Sequence, residues 1–197
     1  MTSNINQEIK IDCKDIILRE YRLEDLDKLQ ELTWQPEIYT YLPGWNVERS
    51  ERENWLRNYE IPENNRFLQQ VAKKQKVDGL RLRLGITIKE NEEFIGWCCT
   101  GPKEELPEPN REIMYGISKN HRNKGYTSQA VEGMINYLFQ NTEVEYLNGI
   151  ALKDNKSSNK VLQKNAFEQV GVVEIEEKIF NHYIIKKTIS KCIQGSR

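Results

Sequence analysis

The chain is short of charge of one sign, of long apolar runs and of familiar nucleotide signatures. Lys and Arg number 29 against 30 Asp and Glu, a formal net charge of -1. That balance argues against an electrostatic nucleic-acid binder, which carries a basic excess. No run of about 18 apolar residues occurs, so no membrane-spanning helix and no membrane partner are expected. The polar segment Met1–Ile11 has no apolar signal core, so a cytoplasmic protein is expected. The two histidines, His121 and His182, and the four cysteines, Cys13, Cys98, Cys99 and Cys192, lack metal-ligand or CxxC spacing. No metal is expected, and the thiols read as small core or surface residues in a reducing compartment. Neither GxxxxGK[ST] nor GxGxxG occurs, and no internal repeat, linker or low-complexity tract interrupts the chain.

What is present suits one soluble domain spanning residues 1–197, with a core over about 15–187. The chain is 38% hydrophobic and 30% charged over its 197 residues. A chain of that length buries roughly 70% of its unfolded surface and needs no covalent staple. Asp15–Arg22 reads as a strand, and Leu23, Leu26, Leu29 and Leu32 then recur at helical spacing. Pro36 and Pro43-Gly44 break that pattern. Glu48–Tyr59 reads as a second helix that Pro62 interrupts, and Glu63–Lys76 as a third. From Leu80 to Ile88 apolar residues alternate with others, the pattern of a half-buried strand. Lys89–Glu93 is a turn and Phe94–Thr100 the returning strand of a hairpin. Gly101–Asn110 is a loop and Glu112–Ser118 a strand. Val131, Met134, Ile135, Leu138 and Phe139 mark the clearest helix. Val144–Ala151 is an apolar strand, Asn155–Lys164 a short helix, and Glu168–Glu176 with Lys178–Lys187 a final strand pair. Thr188–Arg197 reads as a short frayed or helical end. The order implies an α/β (α+β) domain with a mixed sheet.

The informative unit is the strand Glu112–Ser118, a basic glycine loop, and a helix from Tyr126. A helix start presents unpaired N–H groups and partial positive charge, and anions bind there. Gly125 admits a close backbone approach, Thr127 and Ser128 are small, and Lys119, Arg122 and Lys124 add local positive charge. Together they form a diphosphate cradle; a tight strand-to-helix turn with no ligand explains Gly125 equally well.

The segment EIMYGISKNHRNKGYTSQA, Glu112–Ala130, resembles motif A of the GNAT N-acetyltransferase superfamily, [QR]xxGx[GA]. Arg122, Gly125 and Thr127 stand at its first, fourth and sixth positions, with Thr127 in place of the usual Gly or Ala. Ile16–Trp45, Glu92–Cys99 (EEFIGWCC) and Lys153–Phe167 (KDNKSSNKVLQKNAF) resemble segments of the RimJ/RimL-like branch, with Ala166 in place of a usual glycine. The likeness runs from about Ile16 to Lys187. It implies a single-domain fold with a mixed, mostly antiparallel sheet, splayed fourth and fifth strands, and flanking helices.

It also implies acetyl-CoA as co-substrate and an amine acceptor, a protein N-terminus or a small molecule, in a monomer or homodimer. In the family the splayed strands hold the pantetheine arm, a role that falls on Tyr115, Gly116, Ile117 and Ser118, beside Met114. The pyrophosphate falls to Arg122, Asn123, Lys124, Gly125, Tyr126, Thr127 and Ser128. The branch uses an Asn and a Ser to order a water near the sulfur, which implicates Asn155 and Ser158; both are also competent helix caps. Many members carry a tyrosine acid at the position of Leu162, absent here. The catalytic set is therefore Glu112, Asn155 and Ser158. Glu112, where the strand enters the site, is the candidate general base or else an exposed strand-end carboxylate. Tyr115 is an outside candidate acid. Gln30–Arg66 would border the acceptor and carries no compact acidic cluster of the sort a polyamine or aminoglycoside requires. A non-catalytic acyl-CoA-binding module is the alternative to an enzyme.

Overall fold

The computed structural model describes residues 8–188; the expected end segment beyond 188 lies outside the described residues. The strands are β1 (Lys10–Asp12), β2 (Ile16–Glu20), β3 (Leu82–Ile88), β4 (Phe94–Pro102), β5 (Arg111–Ile117), β6 (Tyr146–Leu152), β7 (Glu168–Ile175) and β8 (Lys178–Lys186). They form one eight-stranded sheet in the order β1-β2-β3-β4-β5-β6-β8-β7. Neighbours pair antiparallel except β5 and β6, which are parallel. The helices are α1 (Leu26–Thr33), α2 (Pro36–Tyr39), α3 (Arg49–Trp55), α4 (Ile61–Ala72), α5 (Tyr126–Asn141) and α6 (Lys156–Lys164). None among the described residues is long and apolar enough to cross a membrane. This is the mixed, mostly antiparallel architecture that the sequence leads one to expect.

Alternation along the central strands feeds two apolar clusters, one on each face. Val131, Met134, Ile135 and Leu138 of α5 pack with Leu18, Leu84, Ile86, Ile95 and Cys98. Leu26, Leu29 and Leu32 of α1 pack with Phe94, Trp97 and Cys99 on the opposite side. The adjacent cysteines thus divide between two clusters because successive strand residues face opposite ways. Each fully buried aliphatic side chain contributes about 1.5–3 kcal/mol, and the central strands supply more of them than the helix stripes do.

Two expectations need correction. β3 is buried on both faces rather than half-buried, because it lies between β2 and β4 with helices on both sides. Its Arg83 is accommodated by Glu63 at 2.6 Å. Pro62 does not break the helix before it. A π-helical turn over Leu56–Glu60 carries the chain from α3 straight into α4. Ile61 N–H bonds Leu56 O, five residues back, and this wider turn accommodates a proline that has no donor of its own. Pro36 likewise opens a helix, at the first turn of α2, where its missing N–H costs nothing. The edge strand β1 carries no alternation long enough to signal it.

Beside the parallel pair the sheet opens. β5 and β6 share one ladder pair, Glu112 with Asn148. The Asn148 side chain closes that end: its Nδ2 donates to Pro109 O at 2.8 Å and Arg111 O at 3.2 Å, while its Oδ1 meets His182 Nε2 at 2.8 Å. Beyond this junction the strands splay apart.

Candidate active site

The splay opens into a cleft of about 820 Å³. Its walls are β5, the loop before α5, α6, and the segment from Glu37 to Trp45. β5 presents to it a backbone edge with no ladder partner beyond Glu112.

The loop between β5 and α5 has the character of an anion cradle. Gly125, the residue before α5, sits at φ +82° and Asn123 at +61°. Gly125 needs this left-handed backbone, and Asn tolerates it better than most side chains. A Cβ on Gly125 would meet nothing within 4 Å, because it would point into open space. The backbone N–H groups from Arg122 through Ser128 find no acceptor among the described residues. Left-handed residues in such a loop turn successive N–H groups to one side, which makes an anion nest, and the dipole of α5 adds positive potential. Arg122, Asn123, Gly125, Tyr126, Thr127 and Ser128 all line the cleft. Lys124 is exposed and is not among the lining residues, so it contributes field rather than wall. The Arg122 guanidinium is used differently from the expectation: Nη2 donates to Glu37 O at 2.8 Å. With Lys119 N–H donating to Gln35 Oε1 at 2.9 Å, it braces the loop against α2.

Of the β5 candidates, Tyr115, Gly116 and Ile117 line the cleft. Ser118 is buried, and its N–H donates to Ile95 O at 2.8 Å; it closes the ladder to β4 and is not part of the cleft wall. A Cβ on Gly116 would lie 2.6 Å from the Trp97 ring, so close packing against that indole requires glycine there.

Tyr115 reaches across the splay. Its hydroxyl bonds Ser158 Oγ at 2.9 Å and donates to Ser158 O at 3.1 Å. Burial pushes its pKa well above the ordinary tyrosine value, against a smaller opposing effect of the Ser158 bond. Asn155 caps α6, its Oδ1 accepting from Ser158 N–H at 3.1 Å. Both α6 candidates therefore line the cleft while already serving the protein, which narrows what they offer a ligand to Asn155 Nδ2 and the Ser158 hydroxyl. Leu162 is 1% exposed and lies against Gly149, so no acid group comes from that position.

Glu112 stands where the two strands part. Its side chain lines the cleft, and no donor among the described residues hydrogen-bonds its carboxylate. Burial raises its pKa to about 7, and Lys103 and Arg81 only partly oppose this. A base matched to neutral pH is what proton abstraction from an ammonium-forming amine requires.

Sequence reasoning missed several lining residues. Lys156, Lys160 and Lys164 of α6 line the cleft, and their spacing of four placed them on one helical face in the sequence already. Glu37 and Trp45 lie in the segment Gln30–Arg66 expected to border the acceptor, and tertiary packing brings them to the cleft.

Comparisons with known proteins agree with this fold. A family model described as the acetyltransferase (GNAT) domain matches residues 15–168. An uncharacterized N-acetyltransferase, p20, of Bacillus licheniformis is 26% identical over 166 residues, covering 83% of this chain and 84% of that relative. A GNAT-family acetyltransferase from Bacillus anthracis superposes with a TM-score of 0.72 at 16% identity, over 91% of this chain and 99% of that one. RimL, a ribosomal L7/L12 alpha-N-protein acetyltransferase solved with coenzyme A, superposes with a TM-score of 0.70 at 16% identity, over 90% and 98%. The chain belongs to the GNAT acetyltransferase family and is an acetyl-CoA-dependent acyltransferase.

Proposed function

We propose that this protein acetylates the α-amine of a polypeptide by direct attack of that amine on acetyl-CoA, with Glu112 as the general base. The carrying observation is a carboxyl group with a pKa of about 7 at the junction of the splayed strands. The nest from Arg122 to Ser128 holds the pyrophosphate, and the unpaired edge of β5 lies along the pantetheine arm. The amine nitrogen forms a bond to the thioester carbonyl carbon and the carbon–sulfur bond breaks. The amine proton passes to Glu112, and the departing thiolate takes up a proton, so the reaction is proton-neutral overall. Tyr115, whose pKa is raised, keeps its proton and serves as a hydrogen-bond donor near the sulfur rather than as the proton source. Ser158 orients it, and Asn155 sets the start of the helix that carries Ser158.

Two facts support a polypeptide over a polycation. The cleft mixes Glu37, Glu105, Glu112, Asp154 and Glu176 with Lys103, Arg122, Lys156, Lys160, Lys164 and Lys178, so it lacks the acidic wall that would concentrate a polyamine or aminoglycoside. RimL, whose fold superposes well, is a protein alpha-N-acetyltransferase. The test is a thiol-release assay with acetyl-CoA, free-amine peptides, the same peptides blocked at the N-terminus, and spermidine. Turnover confined to free-amine peptides is expected. Turnover of spermidine but of no peptide would refute the acceptor, and CoA binding by calorimetry with no turnover would leave the non-catalytic reading.

A further inference from the structure

The segment from Glu37 to Trp45 walls the cleft on the side that Glu112 faces. Glu112 and Met114 are two apart on β5 and share a face, and Met114 packs in the cluster that holds Leu42 and Trp45. Tyr115, of opposite parity, turns instead to Ser158 on α6. An amine that hands its proton to Glu112 therefore stands on the side of β5 that this wall covers.

The wall is stiff within itself and tied to the rest of the protein at few points. Turn bonds run along it: Ile38 N–H to Gln35 O at 2.8 Å, Thr40 N–H to Pro36 O at 3.1 Å, Leu42 N–H to Ile38 O at 3.0 Å and Trp45 N–H to Leu42 O at 3.3 Å. Apolar packing adds the buried Ile38 and the stack of Trp45 on Trp97. Among the described residues, one hydrogen bond joins Pro36–Trp45 to another element, and it is Arg122 Nη2 donating to Glu37 O at 2.8 Å. Gln35, just before, gives a second tie, its Oε1 accepting from Lys119 N–H at 2.9 Å. Both ties come from the loop that carries the nest. Arg122 thus belongs to two structures: its backbone opens the nest and its guanidinium holds the wall. The nest itself needs no side chain, because its N–H groups and the dipole of α5 supply the positive potential.

We infer that Arg122 and Gln35 are positioning residues that hold the Glu37–Trp45 wall against the cofactor loop, so that they place the acceptor amine rather than the pyrophosphate. The inference rests on Glu112 as the base, and its test is separable from that reading. Three variants enter the thiol-release assay with whichever amine is turned over. Gln35→Met removes the accepting oxygen at constant charge, Arg122→Met removes the donor, and Arg122→Lys keeps a donor and the charge. Gln35→Met and Arg122→Met should each raise KM for the amine about tenfold, and Arg122→Lys should recover most of that rise. Calorimetric CoA affinity should be unchanged in Gln35→Met and fall by at most about threefold in Arg122→Met, the share of one screened charge. A loss of CoA affinity as large as the rise in KM overturns the inference, and so does an unchanged KM in both methionine variants. A second readout needs no turnover. Amide hydrogen exchange of the whole protein should quicken over residues 38–45 in Arg122→Met and keep its wild-type rates across α5. Unchanged exchange over 38–45, or quickening that spreads through α5, overturns the tie. If Glu112→Gln keeps full activity, the base is elsewhere while the KM and exchange results still decide the tie. If no amine is turned over, the placing of an acceptor falls, and exchange alone decides whether Arg122 holds the wall.

Discussion

The two sides of the cleft are built from different materials. Residues 122–128 present unpaired backbone N–H groups, shaped by left-handed Asn123 and Gly125. The wall from Glu37 to Trp45 is made of side chains, with Trp45 laid on Trp97. A backbone cradle is specified locally, because it needs a glycine, small neighbours and a helix start within a few residues. A side-chain wall is specified by packing between elements far apart in the chain. The first is therefore legible within a few residues, whereas the second depends on members brought together from distant positions.

The largest effect should come from breaking the cradle. Gly125→Glu forces a side chain into a backbone conformation that costs about 1–2 kcal/mol for L residues. It also sets a carboxylate at the mouth of the nest, against the incoming pyrophosphate. Affinity for CoA should fall at least about 100-fold, with far-UV circular dichroism retained, since the new side chain meets open space. Unchanged calorimetric affinity in the folded variant would move the cofactor elsewhere.

Next in size is Glu112→Gln, which separates chemistry from binding. Loss of a general base costs about 10²–10⁴ in rate, and CoA affinity should be unchanged. The wild-type kcat/KM should fall about tenfold per pH unit below a pKa near 7, and the variant should lose that limb. Stability gives an independent reading with a definite sign. The folded pKa of about 7 lies above the ordinary 4.5, so the native state holds this proton more tightly than the unfolded chain. The resulting stability is full below pH 4.5 and is lost as pH rises through 7. Glu112→Gln should therefore match wild type at pH 4 and exceed it by about 1–2 kcal/mol at pH 8, after discounting for partial exposure. Equal melting temperatures at pH 8 would show that burial does not strain this carboxyl.

The same division explains what could be read from the sequence. The stripe of α5 and the strand hairpin follow from local periodicity, and the structure has them where expected; the cradle is proposed from equally local signals, Gly125 and a helix start. Asn155 and Ser158 were legible as a pair at the head of a helix, yet the bond from Tyr115 that fixes Ser158 crosses 43 positions and leaves no local trace. Pro62 misled because a proline signals a helix break, and only the π turn before it absorbs the missing donor. The cluster of Arg52, Glu60 and Arg83 was not legible for the same reason: Arg83 enters from β3, and Arg52 and Glu60 are eight apart, beyond the spacing of three or four at which side chains of an ordinary helix pair.

The smallest predicted effect tests how far the backbone rule extends. Ala166 follows α6 at φ +60°, with its N–H bonded to Gln163 O at 3.2 Å and Phe167 N–H to Leu162 O at 3.1 Å. These bonds end the helix as glycine usually does, and Phe167 then drops into the core at 4% exposure. An alanine held there is strained by about 1–2 kcal/mol, while glycine would lose about 0.5–1 kcal/mol more backbone entropy on folding. Ala166→Gly should thus stabilise by about 0.5–1 kcal/mol, a rise of about 1–4 °C in Tm. Ala166 is exposed, so no packing is lost. CoA affinity should not move, because α6 already starts where Asn155 caps it, at the opposite end. A shift in CoA affinity with that rise in Tm would mean that the strained end of α6 tensions the cleft, and that the backbone side of the site is not set by its own loop alone.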